Sequence, residues 1–390
     1  MVKMKDNSFM KTRRHFIKDL SSATILGAAG ITFPCVAASK SDLKTYSVSL
    51  LGDTHFDSTD PRFYHKDYTH TTSPSRFRAH CAEHARNAEM WTKRMPSLIR
   101  ASAACRRPDT AFVMQAGDFI QGDCGKADMH RRMLDDAFKV IKEAYGGTLP
   151  VVPAVGNHDI RGSQHGDGAL ETVQSWYPQR MSKELGISVK DTTFSFRQGP
   201  DVYIVVDFNS PNPNFELLKR LIEESGDARY VFLLTHGPFI PSGPTRWLLY
   251  GSRKDNKKRK ELTALLARRN AIVIAGHTHR MEYHDCVFPQ GRITQLVINS
   301  VWTKPELAVP EILYSGVSEY GKLAEIASNK KSKNARANLV EYVDEFRPYV
   351  KDFLFANAAG HYLMEVSDKS VNVAFYGGDS TQITRKFTLR

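Results

Sequence analysis

VVPAVGNHD, residues 151–159, places an apolar, β-branched run directly before the polar residues Gly-Asn-His-Asp. Short apolar runs of this kind predict buried β-strands. Four further runs also lead into polar residues, and longer helical patterns separate them. The alternation predicts an α/β fold with sheets buried between helices. The four runs are 47–51 before Gly52-Asp53, 111–114 before Gly117-Asp118, 230–234 before His236, and 271–274 before Gly276-His277.

The polar residues lie at the carboxyl ends of the five predicted strands, which is the edge where open α/β sheets bind ligands. Each motif is weak alone, because Gly-Asp is usually a turn and a lone His after a strand is usually structural. Together they supply two carboxylates, one carboxamide and four imidazoles, a donor set suited to divalent or trivalent metals. These residues are Asp53, His55, Asp118, Asn157, His236, His277 and His279.

The motifs occur in the order D-x-H, G-D, G-N-H-D, H and G-H-x-H, which resembles the calcineurin-like metallophosphoesterases over about residues 44–300. The resemblance implies a four-layer α/β/β/α sandwich with two central mixed sheets. It also implies how the ligands divide. One metal would bind Asp53, His55 and His279, the other Asn157, His236 and His277, and Asp118 would bridge both.

Two cations roughly 3.5–4 Å apart suit ester hydrolysis, because they neutralise phosphoryl oxygens and lower the pKa of a shared water. The bridging hydroxide would attack phosphorus in line with the leaving oxygen. The resemblance implies that His158 donates a hydrogen bond or a proton to the leaving alkoxide, and that Asp159 orients its imidazole. The alternative is that His158 only packs beside the site. The ligand set suits Fe, Mn and Zn alike.

Four other polar residues are candidate substrate contacts. Arg161 and His165 follow the Gly-Asn-His-Asp motif closely enough to reach a substrate phosphate. His65 and His70 could close over the site from the long segment between the first two predicted strands. The alternative for Arg161 and His165 is an ordinary solvated loop residue.

The N-terminus predicts an export signal. Arg13-Arg14-His15-Phe16-Ile17-Lys18 precedes a moderately apolar segment, and small residues follow at 36–38. This order is typical of a cleaved signal peptide, and the paired arginines resemble the bacterial twin-arginine signal. We therefore expect the twin-arginine export machinery as a partner and a periplasmic or otherwise exported protein. The alternative is a basic amphipathic helix.

The remaining chain, 39–390, is predicted to form a single domain, because no repeat or low-complexity tract divides it. We expect an insertion at about 56–108 that is helical in its second part, a helical insertion at about 303–357, and sheet-completing strands at 361–389. No apolar run of 18 or more residues follows position 40, so no stable membrane span is expected after cleavage. Free, buried thiols are the expectation for Cys81, Cys105, Cys124 and Cys286.

These features predict an exported, two-metal phosphoesterase acting on a small phosphorylated substrate. Residues 1–38 hold six Lys or Arg and two Asp or Glu, so the formal charge of +12 falls to +8 without them, which favours acidic substrates. Nucleic acid is not expected, given the export signal and the absence of long heptad segments. The alternative is a metal-containing binding protein or pseudoenzyme of the same fold. The choice among monoester, diester and diphosphate substrates rests on the loops around the metals.

Overall fold

The computed structural model describes residues 45–60, 63–68, 73–209, 211–242, 248–324 and 333–390. The predicted export signal at 1–38 and the candidate substrate residue His70 lie outside these ranges. None of the helices in the described ranges combines the length and the hydropathy needed to cross a bilayer.

The first half of the chain alternates strands and helices, as the apolar runs predict. Its elements are β1 (Tyr46–Leu51), α1 (Pro74–Lys93), α2 (Met95–Ala104), β2 (Thr110–Gln115), α3 (Ala127–Ala144), β3 (Val151–Pro153), α4 (Ala169–Leu185), β4 (Phe194–Gln198) and β5 (Asp201–Val206).

The second half begins with two helices between parallel strands and ends in antiparallel strands. Its elements are α5 (Pro211–Glu224), β6 (Val231–Thr235), α6 (Asn256–Arg268), β7 (Ile272–Ala275), β8 (Met281–Phe288), β9 (Gly291–Val297), β10 (Glu311–Ser315), α7 (Lys333–Phe346), β11 (Val350–Asn357), β12 (Gly360–Val366), β13 (Val371–Gly377) and β14 (Arg385–Thr388).

The strands form two mixed sheets. The six-stranded sheet has the order β14-β13-β12-β1-β2-β3, and the eight-stranded sheet has the order β10-β11-β8-β9-β7-β6-β5-β4. The strands β1, β2 and β3 are parallel to one another, and so are β5, β6, β7 and β9. Parallel neighbours bring their carboxyl ends to one edge, so the polar motifs that follow these strands converge.

The strand β6 shows how the layers stack, because its alternate side chains enter two different cores. Phe232 and Leu234 belong to the core that also contains the six-stranded sheet, whereas Val231 and Leu233 belong to the core beneath α5, α6 and α7. Both faces of the strand are therefore buried, which explains its continuous apolar sequence. The result is the four-layer α/β/β/α sandwich that the resemblance implies, so this prediction of the fold class is confirmed.

The described part of the insertion after β1, residues 56–60, 63–68 and 73–108, contains two helices. The Ser73 side chain caps α1 by accepting a hydrogen bond from the Arg76 amide. The helix ends just before Pro96, which occupies the first turn of α2. This break agrees with the expected effect of proline, whose ring cannot continue a helix.

The prediction of a helical insertion at about 303–357 is wrong in part. Only α7 is a long helix among its described residues, whereas β10 and β11 are strands of the eight-stranded sheet. The strand β11 pairs with β8, which lies some seventy positions earlier in the chain. Its short apolar run, 353–356, follows a Lys/Asn/Ala-rich helical pattern, and a long-range partner rather than local propensity makes it a strand.

The four cysteines in the described residues are free, and only two match the expectation of buried thiols. Cys124 and Cys286 are buried, whereas Cys105 is partly exposed and Cys81 is exposed. The exposure of Cys81 follows from its place on the outer face of α1, next to the buried His80.

Candidate metal centre

The loops after β1 and β7 meet through a buried carboxylate. Asp53 is fully buried, and its two oxygens accept hydrogen bonds from the backbone amide of His277 at 3.0 and 3.1 Å. The Nε2 atom of His279 lies 3.1 Å from Asp53 Oδ2. The Asp53 carboxylate thus contacts two residues that lie more than 220 positions later in the chain, His277 and His279.

Asp118 stands between the two halves of the site. Its Oδ2 atom lies 3.1 Å from Nε2 of His236 and 3.8 Å from Nε2 of His55. Its Oδ1 atom accepts a hydrogen bond from the His158 amide at 2.7 Å. One oxygen of Asp118 therefore faces histidines from both halves. The other oxygen holds the Gly-Asn-His-Asp turn through its hydrogen bond with the His158 amide.

The potential ligand atoms form two tight groups that share Asp118. One group comprises Asp53, His55, Asp118 and His279, the other Asp118, His236 and His277, and the ligand atoms of each group lie within 4.8 Å of one another. The amide oxygen of Asn157 lies 3.2 Å from Nε2 of His236, so it joins the second group. All seven residues proposed as ligands from the sequence are therefore brought together.

The imidazoles in this pocket face one another through their nitrogens. Nε2 of His55 lies 3.0 Å from Nε2 of His279, and Nε2 of His236 lies 3.0 Å from Nδ1 of His277. Such a nitrogen pair can share only one proton, so the remaining lone pairs converge on the space between the rings. Converging imidazole lone pairs with two adjacent carboxylates are a donor set that fits transition-metal cations.

The histidines of the pocket differ in their pKa values, because burial and nearby charges act on each of them differently. Burial favours the neutral ring of His236, but Asp118 and Asp53 outweigh it and raise its pKa to about 9. Burial, together with the adjacent His236, lowers the pKa of His277 to about 3. Burial also holds the pKa of His55 well below its usual value, with His158 adding to the effect. The rings therefore cannot all carry protons, which leaves lone pairs for a cation.

The backbone of the site is held in an unusual conformation. His55, Asp118, His277 and His279 have φ values of 42°, 48°, 70° and 51°, in the left-handed region that non-glycine residues rarely adopt. Each such residue costs about 1 kcal/mol or more and persists only where the surroundings enforce it. The strain therefore lies at four of the seven proposed ligands.

Close packing explains two of the glycines beside the motifs. A Cβ atom on Gly156 would lie 2.1 Å from the Asp118 amide nitrogen, and one on Gly276 would lie 2.2 Å from Oδ1 of Asp53. Both distances are far below van der Waals contact. A side chain at either position would thus displace a carboxylate of the site.

His158 lies at the rim of the pocket, with its ring edge-on to His55 at a centroid distance of 4.5 Å. Its Nδ1 atom lies 3.0 Å from the Gln121 carbonyl. Nη1 of Arg161 lies 3.2 Å from the same Nδ1 and 2.9 Å from a carboxylate oxygen of Glu83. Burial lowers the pKa of His158 despite the nearby Asp118.

Asp159 has contacts that differ from the expected support of the His158 ring. Its Oδ1 atom accepts from the Ile120 amide at 3.0 Å and its Oδ2 atom from the Gly156 amide at 2.7 Å. The Gln121 carbonyl faces the His158 ring instead. The carboxylate turns back because unpaired amides of the loops after β2 and β3 are its nearest donors. Asp159 thus joins these two loops.

The other candidate substrate residues occupy three different environments. Arg161 lies beside His158, held by Glu83 and by Asp123 at 2.6 Å. His165 is exposed in a short 3₁₀ turn, Ser163–His165. His65 is buried, and its ring nitrogens face Asp57 and the Asp123 carbonyl.

Several residues that shape the site carried no sequence signal. Nε1 of Trp91, on α1, donates to the carbonyls of Thr54 and His55 at 2.9 and 3.0 Å. Glu83 also lies on α1, where it pairs with Arg161. Both belong to an insertion helix whose pattern does not reveal which residues face the pocket. The carbonyl of Gln121 is a backbone group, which no sequence motif marks.

The two-sheet sandwich and the Asp and His clusters at its strand ends define a metallophosphoesterase class of protein. The sequence model named calcineurin-like phosphoesterase matches residues 46–281, more than half of the chain. The chain belongs to this family, and the resemblance inferred from the motifs is confirmed. No sequence among curated proteins matches it.

Solved structures resemble the chain at low sequence identity. PhoD is 10% identical, with 90% of this chain and 70% of that chain covered and a TM-score of 0.50. Purple acid phosphatase PPD1 from yellow lupin (Lupinus luteus) seeds is 13% identical, with 88% and 53% covered and a TM-score of 0.49. A dimetal phosphatase from Danio rerio is 12% identical, with 88% and 98% covered and a TM-score of 0.45. At these identities the likeness concerns the fold.

Proposed function

We propose that the protein is an exported hydrolase that cleaves ester bonds of small phosphorylated substrates with two metal ions. The observation that carries the proposal is the pair of ligand groups that share Asp118. Membership of the calcineurin-like phosphoesterases supports the reaction class. Fe, Mn and Zn all suit the mixed oxygen and nitrogen donors.

The proposed ligands would form two sets, one for each ion, as the sequence motifs suggest. Asp53, His55 and His279 would hold one cation and Asn157, His236 and His277 the other, with Asp118 between them. Two cations so placed would neutralise phosphoryl oxygens and lower the pKa of the attacking water. Asp118 would bridge the ions through Oδ2, which faces histidines of both groups, and a carboxylate suits this place because it brings a negative charge. Asn157 would add an oxygen without adding charge.

His158 and Arg161 would act on the substrate. The Gln121 carbonyl faces Nδ1 of His158 and would accept its proton in a hydrogen bond. Donation from Nε2 to the leaving oxygen would therefore use the doubly protonated ring, which the negative charge of a bound phosphate ester would favour. The Arg161 guanidinium, beside that ring, would attract the substrate's phosphoryl oxygens. Asp159 would hold the loops after β2 and β3 in register, so its effect on the reaction would be indirect.

Hydrolysis by the purified full-length protein tests the proposal. The panel comprises an aryl phosphate, a bis-aryl phosphate and a diphosphate, each assayed with metal analysis of the same sample. We expect Asp118→Ala to lose both metal and activity. His158→Ala should keep its metal and lose about 10²–10⁴-fold in kcat. His361→Gln, a buried histidine on β12 outside the site, should change neither.

The same panel separates the enzyme from the alternative. A metal-loaded protein that turns over none of the three substrate types would contradict the hydrolase and favour a binding protein or pseudoenzyme. Equal activity in the parent and in Asp118→Ala would contradict the two-ion site itself. Full activity in His158→Ala would contradict the role of His158 as a proton donor, but it would not contradict the two-ion site.

Export rests on the sequence of residues 1–38 and needs its own test. We expect the mature protein to be recovered from the bacterial periplasm with its N-terminus near residue 39. An Arg13→Lys, Arg14→Lys double variant should accumulate in the cytoplasm, because the twin-arginine pathway reads the paired arginines. Unchanged export of that variant would exclude this route.

A further inference from the structure

Three histidines outside the two ligand groups form a third cluster, the histidine triad His65, His80 and His84. All three are buried. His80 and His84 are four residues apart on α1, so they project from the same face of the helix. His65 belongs to the turn at residues 63–67. One ring nitrogen of each lies within 4.8 Å of the others.

The rings of His80 and His84, which both lie on α1, have their Nε2 atoms facing each other. Nδ1 of His84 lies 2.9 Å from Oδ2 of Asp57, and Nδ1 of His80 lies 3.3 Å from Oδ2 of Asp123. The Nε2 atoms of the two rings are 2.6 Å apart. A proton on Nδ1 of His84 satisfies Asp57, and one on Nδ1 of His80 would face Asp123 without a well-aligned hydrogen bond. With the protons so placed, the two Nε2 lone pairs would be in contact. Two such lone pairs repel unless a cation lies between them.

The third ring has oxygens on both sides. Nδ1 of His65 lies 3.0 Å from the Asp123 carbonyl, and Nε2 lies 3.0 Å from Oδ1 of Asp57. A neutral imidazole donates from only one nitrogen. Donation from Nδ1 to a backbone carbonyl is the arrangement that fixes metal-bound histidines. Because Nε2 faces both oxygens of Asp57 here, its lone pair would become available to an ion only when the proton stays on Nδ1 and the ring turns away from that carboxylate.

The charged side chains around the histidine triad have an excess of negative charge. The Asp57 and Asp123 side chains are 0% and 3% exposed. Arg161 pairs with Asp123, but Glu83 also pairs with Arg161 and offsets its charge. Arg86 in turn lies 3.8 Å from Glu83, so with three neutral rings these side chains have a net charge of −1. Unpaired buried charge is costly, and a cation at the triad would offset it.

We propose that His65, His80 and His84 bind a third metal ion, a divalent transition-metal ion such as Zn²⁺, separate from the pair held around Asp118. Three imidazoles suit zinc, and carboxylates that bind the outer ring nitrogens are the usual support of such ligands. Tetrahedral Zn–N bonds of about 2.0–2.1 Å place two ligand nitrogens about 3.3 Å apart. Binding would thus move the His80 and His84 nitrogens apart by about 0.7 Å from their 2.6 Å separation.

Such an ion would fasten the insertion to the rim of the pocket. It would join α1 to the 63–67 turn, and Asp123 links both to Arg161 through an ion pair of 2.6 Å. Arg161 in turn lies 3.2 Å from His158. The proposed role is to fix the wall that carries Arg161, and it does not depend on the reaction assigned to the Asp118 site.

Metal content of the full-length protein tests the inference. Protein loaded with Zn²⁺ and freed of excess should hold one ion more per chain than the His80→Gln, His84→Gln double variant. His361→Gln controls for the loss of a buried histidine and should match the parent. An Asp53→Asn, Asp118→Asn background separates the sites, since it should lose the paired ions and keep the one that the His80 and His84 changes remove. Equal zinc content with and without those changes overturns the proposal.

Crystals of the unaltered protein provide a second readout that needs no variant to fold. Anomalous diffraction at the zinc edge should show a peak about 2.0–2.1 Å from the facing nitrogens of His80 and His84. Zinc-loaded crystals without that peak overturn the proposal, since protons shared among the rings would then account for the 2.6 Å contact. A peak that appears only at the Asp118 site also overturns it.

Discussion

Replacing Gly276 by alanine tests how closely the pocket is packed around Asp53. The added Cβ would lie 2.2 Å from Oδ1 of Asp53 and 3.0 Å from the carbonyl oxygen of Ala116, whereas ordinary contact begins near 3.4 Å. The φ of Gly276 is not in the left-handed region, so alanine can adopt this backbone without strain there. The carboxylate of Asp53 must therefore retreat by about 1 Å.

The size of the effect follows from what Asp53 holds. Its oxygens accept from the His277 amide and lie 3.1 Å from Nε2 of His279. A displacement of about 1 Å at a reacting centre costs about 10²-fold in rate, which corresponds to about 2.7 kcal/mol of transition-state stabilisation. We also expect partial loss of the ion on the Asp53 side, because that carboxylate is one of its proposed ligands.

The assay is aryl phosphate hydrolysis, measured as kcat/KM, with metal content and thermal unfolding recorded on the same sample. Gly226→Ala is the matched control, since its φ is also ordinary and its added Cβ would meet the flexible end of Arg269 at 3.2 Å. We expect this control to retain parental activity. A folded Gly276→Ala protein with full metal content and parental kcat/KM would refute the role given to Asp53.

Three further outcomes are expected. Trp91→Phe leaves the carbonyls of Thr54 and His55 without their indole donor, so urea titration should show the free energy of unfolding lower by about 1–3 kcal/mol, and no change would mean that water replaces the indole. Burial lowers the pKa of His284 to about 3, so only the unfolded chain binds this proton as pH falls below about 6.5. Unfolding free energy should therefore drop between pH 7 and pH 5, and His284→Asn should reduce that drop by about 2 kcal/mol; an unchanged pH slope contradicts the shift. Removal of metal by a chelator should abolish hydrolysis and lower the melting temperature. Returning metal at about a thousandfold excess over its Kd should raise the free energy of unfolding by about 4 kcal/mol. Activity that resists the chelator would exclude metal catalysis.

The family and the fold class followed from local sequence, because each strand-end motif is short and lies beside its own apolar run. The chemical type of each candidate ligand was equally local. The sequence could not reveal the contacts made by Asp159, because the amides of Ile120 and Gly156 become its neighbours only when two loops pack together. The division of the seven ligands between two ions stays a prediction.

The C-terminal third shows the limit of local patterns more clearly. The sequence of β11 is short, and a helical stretch precedes it, so only its pairing with β8 makes it a strand. The histidine triad is a second example, because His80 and His84 share a helical spacing but His65 joins them through chain folding.

The sequence by itself determined the donor atoms, the strands that present them and the family, since the periodicity of buried strands and the identity of side chains are local properties. The tertiary structure decided which oxygen faces which ring, which insertion residues line the pocket, and that a second group of histidines is buried beside it. These depend on packing between residues far apart in the chain, and a folded core fixes such distances to fractions of an ångström because it is close-packed.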